Sequence, residues 1–343
     1  MQVIIVGAGY AGVTAANWIA RRSDTDVDVT IINPRELFIE RIRLHQLAAG
    51  TAVATHPLRS MLHPSIELRL AWVRSIGTDE VHLSNGETIA FNYLVYAPGA
   101  GSSAPTNTLD IGQFDSARSI RTVLTESAPG SEVTVVGGGL TGVETSAEIA
   151  IARPDLDVRI IARSGLVPTL GDGARATVRK FFDRHHISVV EDVCSPPPDN
   201  SALTVWAITD SAARIASDSG LSCDGSGRVI VDAGLRSVSH PRVIAIGDGA
   251  AAVRSRMACS TALPQAIHGA STVLRLMAGD SPKTYTARYA TTNVSLGRRD
   301  AVTQFTHLDD RPTRLWMTGP ASAALKEGIC RFAVSLPRVA VRL

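Results

Sequence analysis

Cysteine, net charge and long apolar runs are all scarce in this chain of 343 residues. The four cysteines, Cys194, Cys223, Cys259 and Cys330, lie far apart, with no C-x-x-C pair and no metal-ligand spacing. That argues against a disulfide-built scaffold and a cysteine-held metal, so no metal centre is expected and a reducing, cytoplasmic setting is the default. With 34 Lys+Arg against 32 Asp+Glu the formal net charge is +2, which provides no basic field for nucleic acid. Almost all the cations are arginine. No run approaches the length of a membrane-crossing helix, and a strand-like run starting at residue 2 is read as leaving no room for a signal peptide. The 45% hydrophobic and 19% charged content is that of a globular chain, long enough for two domains with cores of their own.

What the chain does have is one glycine fingerprint used twice. Val3-Ile4-Ile5-Val6 runs into Gly7-Ala8-Gly9-Tyr10-Ala11-Gly12, and a helical pattern follows at once. A continuous apolar run suits a strand buried on both faces of a parallel sheet. Gly7 makes the tight turn, Gly9 lets backbone approach a pyrophosphate, and Gly12 lets helix pack on strand, leaving the phosphates at a helix N-terminus. Glu132-Val133-Thr134-Val135-Val136 then leads into Gly137-Gly138-Gly139-Leu140-Thr141-Gly142, followed by a helix over 140–152 and a strand over 158–161. An internal repeat of this length implies two dinucleotide-binding units.

Between and beyond these units the pattern is mixed. The strand 27–32 ends on Asn33, where such folds usually carry a carboxylate for a ribose; an amide can accept from the same hydroxyl, or Asn33 is a turn residue before Pro34. Residues 38–47 read as a helix of mixed face, with His45 solvated or structural rather than catalytic. Residues 70–95 read as an antiparallel hairpin layer turning at Ser84-Asn85-Gly86, and 93–96 as a buried strand. Further elements are expected as a helix near 115–127, a helix over 173–186, strands at 187–191, 203–208, 227–232 and 243–246, a loop at 196–200, and a helix within 261–276. Strand-like segments at 290–296 and 301–305 precede an ambiguous tail. In that tail Leu325, Ile329 and Phe332 have helical apolar spacing, but Gly328 interrupts it and Pro337 is expected to stop it. The expectation is a short segment packed on its own domain, with at most weak peripheral membrane contact.

Four motifs in this order, the two fingerprints, Leu94-Val95-Tyr96-Ala97-Pro98-Gly99 and Val243-Ile244-Ala245-Ile246-Gly247-Asp248, give the chain its resemblance. Over nearly its whole length it resembles the two-dinucleotide-fold flavoprotein oxidoreductases, most of all the type II NADH dehydrogenases and apoptosis-inducing-factor-like reductases. The resemblance implies an α/β fold with two Rossmann-like domains, the second inserted in the first, and a small C-terminal α+β region. The implied division is 1–105 with 240–282 for FAD, 106–239 for the nicotinamide nucleotide, and 283–343 for the acceptor side. It implies FAD contacts from Gly7, Gly9, Tyr10, Ala11, Gly12, Asn33, Pro34, Arg35, Arg41, Val73, Ala97, Pro98, Gly99, Gly247 and Asp248. Leu263, Pro264 and Gln265 would face the flavin from a helix N-terminus that favours negative charge. Asp248 matches an aspartate that binds the flavin ribitol. Pro98 replaces a threonine, which removes one N–H and one hydroxyl from that turn.

On the second unit the resemblance implies NAD(P)H contacts from Gly137, Gly139, Leu140, Thr141, Gly142, Ala162 and Arg163. NADH-using relatives place a glutamate at the position of Ala162. Its loss removes repulsion toward a 2′-phosphate, and the guanidinium of Arg163 can bind one, so NADPH is favoured over NADH unless Arg163 simply points to solvent. Glu144 matches a glutamate near the nicotinamide and acceptor pockets that could relay protons, although with Glu148 one turn on it could also be a solvated helix face. Gln265 matches a glutamine near the acceptor pocket, or is a surface residue. The redox cysteine pair of disulfide-reducing relatives is missing from 36–50, which excludes that chemistry, and Cys259 reads as a small buried hydrophobe. The expected reaction passes hydride from NAD(P)H through FAD to a quinone-like or other small organic acceptor. Two other classes remain open: a flavin oxidase or dehydrogenase of an organic metabolite with a vestigial nucleotide site, and a non-catalytic redox sensor.

Overall fold

The computed structural model describes residues 1–23, 26–191 and 201–342, the last four of them as backbone only. Among these residues, two five-stranded parallel sheets carry the molecule. The first runs Val243–Ala245, Tyr93–Tyr96, Gln2–Val6, Asp28–Asn33, Glu67–Leu70 in spatial order. The second runs Leu109–Asp110, Leu203–Trp206, Glu132–Val136, Asp157–Ala162, Ser188–Glu191. All strands of the second lie in sequence between the Tyr93–Tyr96 and Val243–Ala245 strands of the first. In each sheet the strand before the glycine turn is central, and Val3, Ile4, Ile5, Val133 and Val135 are fully buried. That is why these stretches are continuously apolar rather than alternating.

Among the described residues, eight helices flank the sheets and the C-terminal region: α1 Tyr10–Arg22, α2 Leu44–Ala49, α3 Phe114–Glu126, α4 Leu140–Ala152, α5 Asp172–Arg184, α6 Ile215–Asp218, α7 Cys259–Met277 and α8 Gly319–Arg342. The repeat is exact at its tightest point. A Cβ built on Gly12 would lie 1.9 Å from the Gly7 carbonyl oxygen, and one on Gly142 1.8 Å from that of Gly137. Only glycine permits either strand–turn–helix crossing. An antiparallel layer of Val73–Ile76, Glu80–Leu83 and Thr88–Ala90 turns at the expected Ser84–Gly86. A second antiparallel sheet, Thr291–Ser295, Ala301–Thr306 and Pro312–Thr318, supports α8.

Several local readings change. The helix expected over 38–47 begins only at Leu44. Leu37–Ile39 is a strand paired antiparallel with Thr55–Pro57, followed by a 3-10 turn at Arg41–Arg43. Phe38 is fully buried, its ring 5.1 Å from that of Tyr10, so distant pairing and burial outweigh the local helical spacing. The 203–208 strand stops at Trp206 and the 227–232 strand shrinks to Val229–Ile230. Neither Gly328 nor Pro337 ends the tail helix: α8 passes through both, and the carbonyl of Pro337 accepts 2.9 Å from Asn17 Nδ2 on α1. Its packed face is also not the expected one. Cys330, Ala333 and Val334 are buried, while Leu325, Ile329 and Phe332 stay partly exposed, the last two on the wall of the cleft described below. The loop expected at 196–200 and Cys194 lie outside the described residues.

Candidate active site

The carboxyl ends of both parallel sheets open onto one cleft of about 1550 Å³. Such ends are where open α/β sheets bind ligands. Gly9, Tyr10, Ala11, Arg41, Ala97, Pro98, Gly99, Gly247, Asp248, Leu263 and Pro264 line it from the first unit, and Gly139, Leu140, Thr141 and Glu144 from the second. Gly9 and Gly139 cap the N-termini of α1 and α4, and a Cβ on either would meet nothing within 4 Å. Both helix ends therefore present backbone N–H groups to open space, as a pyrophosphate requires.

Asp248 sits in the 3-10 turn Gly247–Gly249 that follows the Val243–Ala245 strand. Its Oδ1 is buried without a hydrogen-bond partner. Burial pushes its carboxyl up, opposed by the charge of Arg41. A buried acceptor left open on a cleft is suited to a ligand hydroxyl, so the residues present fit the ribitol of FAD. Arg41 Nη1 reaches the Ala100 carbonyl at 3.4 Å, beside the Gly99 turn.

Opposite lies a buried charged cluster. Glu144 Oε1 accepts 2.9 Å from Ser295 N, 3.1 Å from Ser295 Oγ and 2.7 Å from Lys326 Nζ. His45 Nδ1 stands 4.0 Å from Glu144 Oε2, and its Nε2 is buried without a partner. Burial acting alone would raise the Glu144 carboxyl; Lys326, His45 and Ser295 outweigh it and hold it below its ordinary value. Burial likewise opposes the charge on Lys326, but Glu144 raises it overall. His45 is pushed down to about 4 by burial, despite Glu144. The cluster is thus an ion pair beside a neutral imidazole. One turn along α4, Glu148 is buried too, its carboxyl raised by burial and hydrogen-bonded by Thr51. Neither glutamate belongs to a solvated face.

Other expected site residues fall elsewhere. Gln265 is fully buried but does not line the cleft: its Oε1 accepts 2.7 Å from Gly247 N, and its Nε2 donates 3.1 Å to Ser255 Oγ. It fixes the Asp248 turn, which corrects both the acceptor-pocket and the surface readings. Gly7, Gly12, Gly137 and Gly142 are structural hinges of the two turns. Asn33 Oδ1 already accepts 3.2 Å from Ala8 N, and its Nδ2 donates to the Arg35 carbonyl. Pro34 follows it on the chain, Arg35 pairs with Asp115, and Val73 packs in the core. Ala162 is fully buried at its strand end and Arg163 is exposed beside it. His45 and Lys326, by contrast, line the cleft without having been singled out for chemistry. A lysine on the buried face of α8, in register with Cys330 and Ala333, was the available signal. Cys259 and Cys330 also line the cleft, and burial pushes both thiols up, Cys259 to about 12, so neither is a thiolate near neutral pH.

The model for the pyridine nucleotide-disulphide oxidoreductases matches residues 1–193. The chain belongs to that family. A type II NADH:quinone oxidoreductase of Mycobacterium tuberculosis is 27% identical over 344 residues, spanning 82% of this chain and 74% of the relative. Among solved structures, the sulfide:quinone oxidoreductase of Aquifex aeolicus superposes with a TM-score of 0.82 at 17% identity, covering 99% of this chain and 92% of that one. An engineered water-forming NADPH oxidase bound to NADPH superposes with a TM-score of 0.70 at 16% identity, covering 89% and 75%. Its five substitutions include three consecutive changes, to alanine, arginine and serine. The family assignment makes the chain a flavin-type NAD(P)H oxidoreductase. Among the described residues no helix is long and apolar enough to cross a membrane, and no cluster of His, Cys, Asp or Glu could hold a metal ion.

Proposed function

We propose that the protein uses FAD to pass reducing equivalents from NADPH, in preference to NADH, to a quinone-like or other small organic acceptor. The observation that carries this reading is that both glycine turns, Asp248 and the Lys326–Glu144 pair open onto one cleft. Residues 1–105 with 240–282 would hold FAD, 106–239 the nucleotide, and 283–343 would shape the acceptor side. FAD, when bound, supplies two-electron chemistry able to take hydride from a nicotinamide and return it to an acceptor. Asp248 binds and orients, with Arg41 beside it. Reduction of a quinone by NADPH consumes one further proton, and the hydrogen bond between Lys326 Nζ and Glu144 Oε1 holds one at the cleft wall.

The nucleotide preference is supported by Ala162-Arg163-Ser164 at the strand end. These are the same three residue types, in the same order, as the consecutive substitutions in the NADPH-bound engineered oxidase. The test is anaerobic mixing of the FAD-loaded protein with NADPH or NADH, with and without a soluble quinone. Rapid bleaching by NADPH with turnover on the quinone is expected. Bleaching without turnover on any small acceptor would make the chain a redox sensor, and no bleaching by either nucleotide would overturn the reading.

A further inference from the structure

We propose that the ion pair between Arg179 and Glu191 gates nucleotide choice, and that Arg175 is the second cation of the site for the 2′-phosphate. This rests on the NADPH reading above. The carboxylate that is missing at Ala162 has not left the region. Ala162 is in register with Glu191 on the neighbouring strand, so an acidic side chain stands at the end of the next strand instead. The turn after Ala162 brings that side chain close to the nucleotide fingerprint. Gly165 N donates 2.7 Å to the Ala162 carbonyl, and Val167 N donates 2.7 Å to the carbonyl of Gly138. A Cβ built on Gly165 would lie 3.3 Å from Arg175 Nη2 and 3.5 Å from Glu191 Oε1. An arginine and a glutamate therefore flank the same turn, two residues from Arg163.

Left alone, Glu191 would do what a strand-end carboxylate does: accept from a ribose 2′-hydroxyl and repel a 2′-phosphate. It is not left alone. Arg179, one helical turn beyond Arg175 on α5, pairs with its Oε1. That pair, though partly exposed, offsets the charge and engages one of the two carboxylate oxygens. Arg175 has no comparable anchor, since its acidic neighbour Asp172 is fully exposed with its Oδ1 3.7 Å away. An exposed contact of that kind is weak and readily exchanged. Among the described residues Arg163 has no ion-pair partner, so Arg163 and Arg175 remain to meet a phosphate dianion, while Arg179 acts through Glu191 as a positioning residue.

The test uses binding to the FAD-loaded protein, measured calorimetrically with 2′,5′-ADP, which carries the 2′-phosphate, and with 5′-AMP, which does not. Wild type should bind 2′,5′-ADP more tightly. Arg179→Met should weaken 2′,5′-ADP by about tenfold while sparing 5′-AMP, as an unmasked carboxylate repels phosphate. Arg179→Met combined with Glu191→Gln should restore binding to within about twofold of wild type, because the repelling charge is gone. Arg175→Met should weaken 2′,5′-ADP alone. Unchanged binding in Arg179→Met, or an equal loss in the single and double variants, would overturn the gate, the second by showing that Arg179 acts through packing. A wild type that binds both fragments equally would instead bring down the NADPH reading on which the gate rests.

Discussion

Lys326 on α8 donates a 2.7 Å hydrogen bond from Nζ to Oε1 of Glu144 on α4, joining the last described helix to the first turns of the helix that follows the second glycine turn. Beside it, Glu327 forms a two-pronged pair with Arg43, at 2.9 and 3.0 Å. Adjacent residues of one helix thus reach both units. Removing one partner of a buried pair leaves the other charge uncompensated. Lys326→Met should therefore destabilise the protein by about 3–5 kcal/mol, and adding Glu144→Gln should recover part of that loss. Urea midpoints of the three variants check this; a double variant less stable than Lys326→Met would refute it.

His45 should make stability fall as the solution is acidified. Its folded value is pushed down to about 4 by burial; Glu144 opposes this, while Lys326, Arg298 and Arg43 reinforce it. Between its unfolded value of 6.5 and about 4 the unfolded chain binds the extra proton, so stability rises with pH across that window and is already complete above it. The shift corresponds to about 3 kcal/mol lost on going from neutral pH to pH 4. Glu144 acts later: its stabilising contribution, present above 4.5, fades only as pH falls through its depressed folded value. His45→Gln should flatten the upper part of this profile, as read from denaturation midpoints at neutral pH and near pH 5.

Asp248→Ala should weaken FAD retention by about 10- to 150-fold, the equivalent of a lost charge-assisted contact of about 1.5–3 kcal/mol. Because burial already pushes this carboxyl up, its ionised form costs the apo-protein stability near neutral pH. The same variant without FAD should be as stable as wild type or more so. Equilibrium dialysis against FAD and melting of the apo-protein read the two effects separately, and a destabilised apo variant would point to a structural role.

The partly exposed Leu325, Ile329 and Phe332 of α8, the last two on the cleft wall, should hold membranes only weakly. Leu325, Ile329 and Phe332 are 38%, 39% and 59% exposed. Burying what remains exposed of three such side chains gives about 3 kcal/mol, below the level at which a single acyl chain holds a protein to lipid. Sedimentation with liposomes at physiological salt should leave most of the protein in the supernatant; a majority in the pellet would refute this.

The parts of this molecule legible in its sequence are those that local chemistry specifies. Val3–Val6 and Val133–Val136 are apolar because both faces of each strand are covered, and Gly12 and Gly142 are glycine because a carbonyl lies where a Cβ would go. The 37–39 strand was not legible because its partner, 55–57, is supplied from elsewhere in the chain. Pro337 and Gly328 carry strong local stop signals, yet packing of Cys330 and Ala333 keeps the helix going. Lys326 is one of three lysines, with Lys180 and Lys283, in an arginine-dominated chain. Its compact ammonium acts as a point charge on a flexible stem, where arginine would bring a larger planar fork. Nothing near it in sequence reveals that Glu144 is the partner. Gln265 matches a family glutamine by position, but helical position alone does not decide that it bonds Gly247 and Ser255.

NADPH should reduce the bound flavin faster than NADH, and the strand end should set the difference. Ala162 is fully buried and offers no carboxylate, while Arg163 is exposed at the same end. A guanidinium binds phosphate oxygens through two parallel hydrogen bonds, and absence of a carboxylate removes the opposing repulsion. One such contact, at about 1.5–3 kcal/mol, gives about a 10- to 150-fold preference. The measurement is the second-order rate of flavin reduction by each nucleotide in wild type and in Ala162→Glu/Arg163→Ala. The double variant should reverse the preference, chiefly by slowing NADPH at low concentration, since the contact lies far from the hydride. Glutamate at 162 must displace buried contacts, so Arg163→Ala alone provides a control that leaves the core intact; it should lose most of the NADPH advantage without gaining affinity for NADH. A wild type that reduces equally fast with both nucleotides, or a double variant that still prefers NADPH, would show that the choice is made elsewhere in the chain.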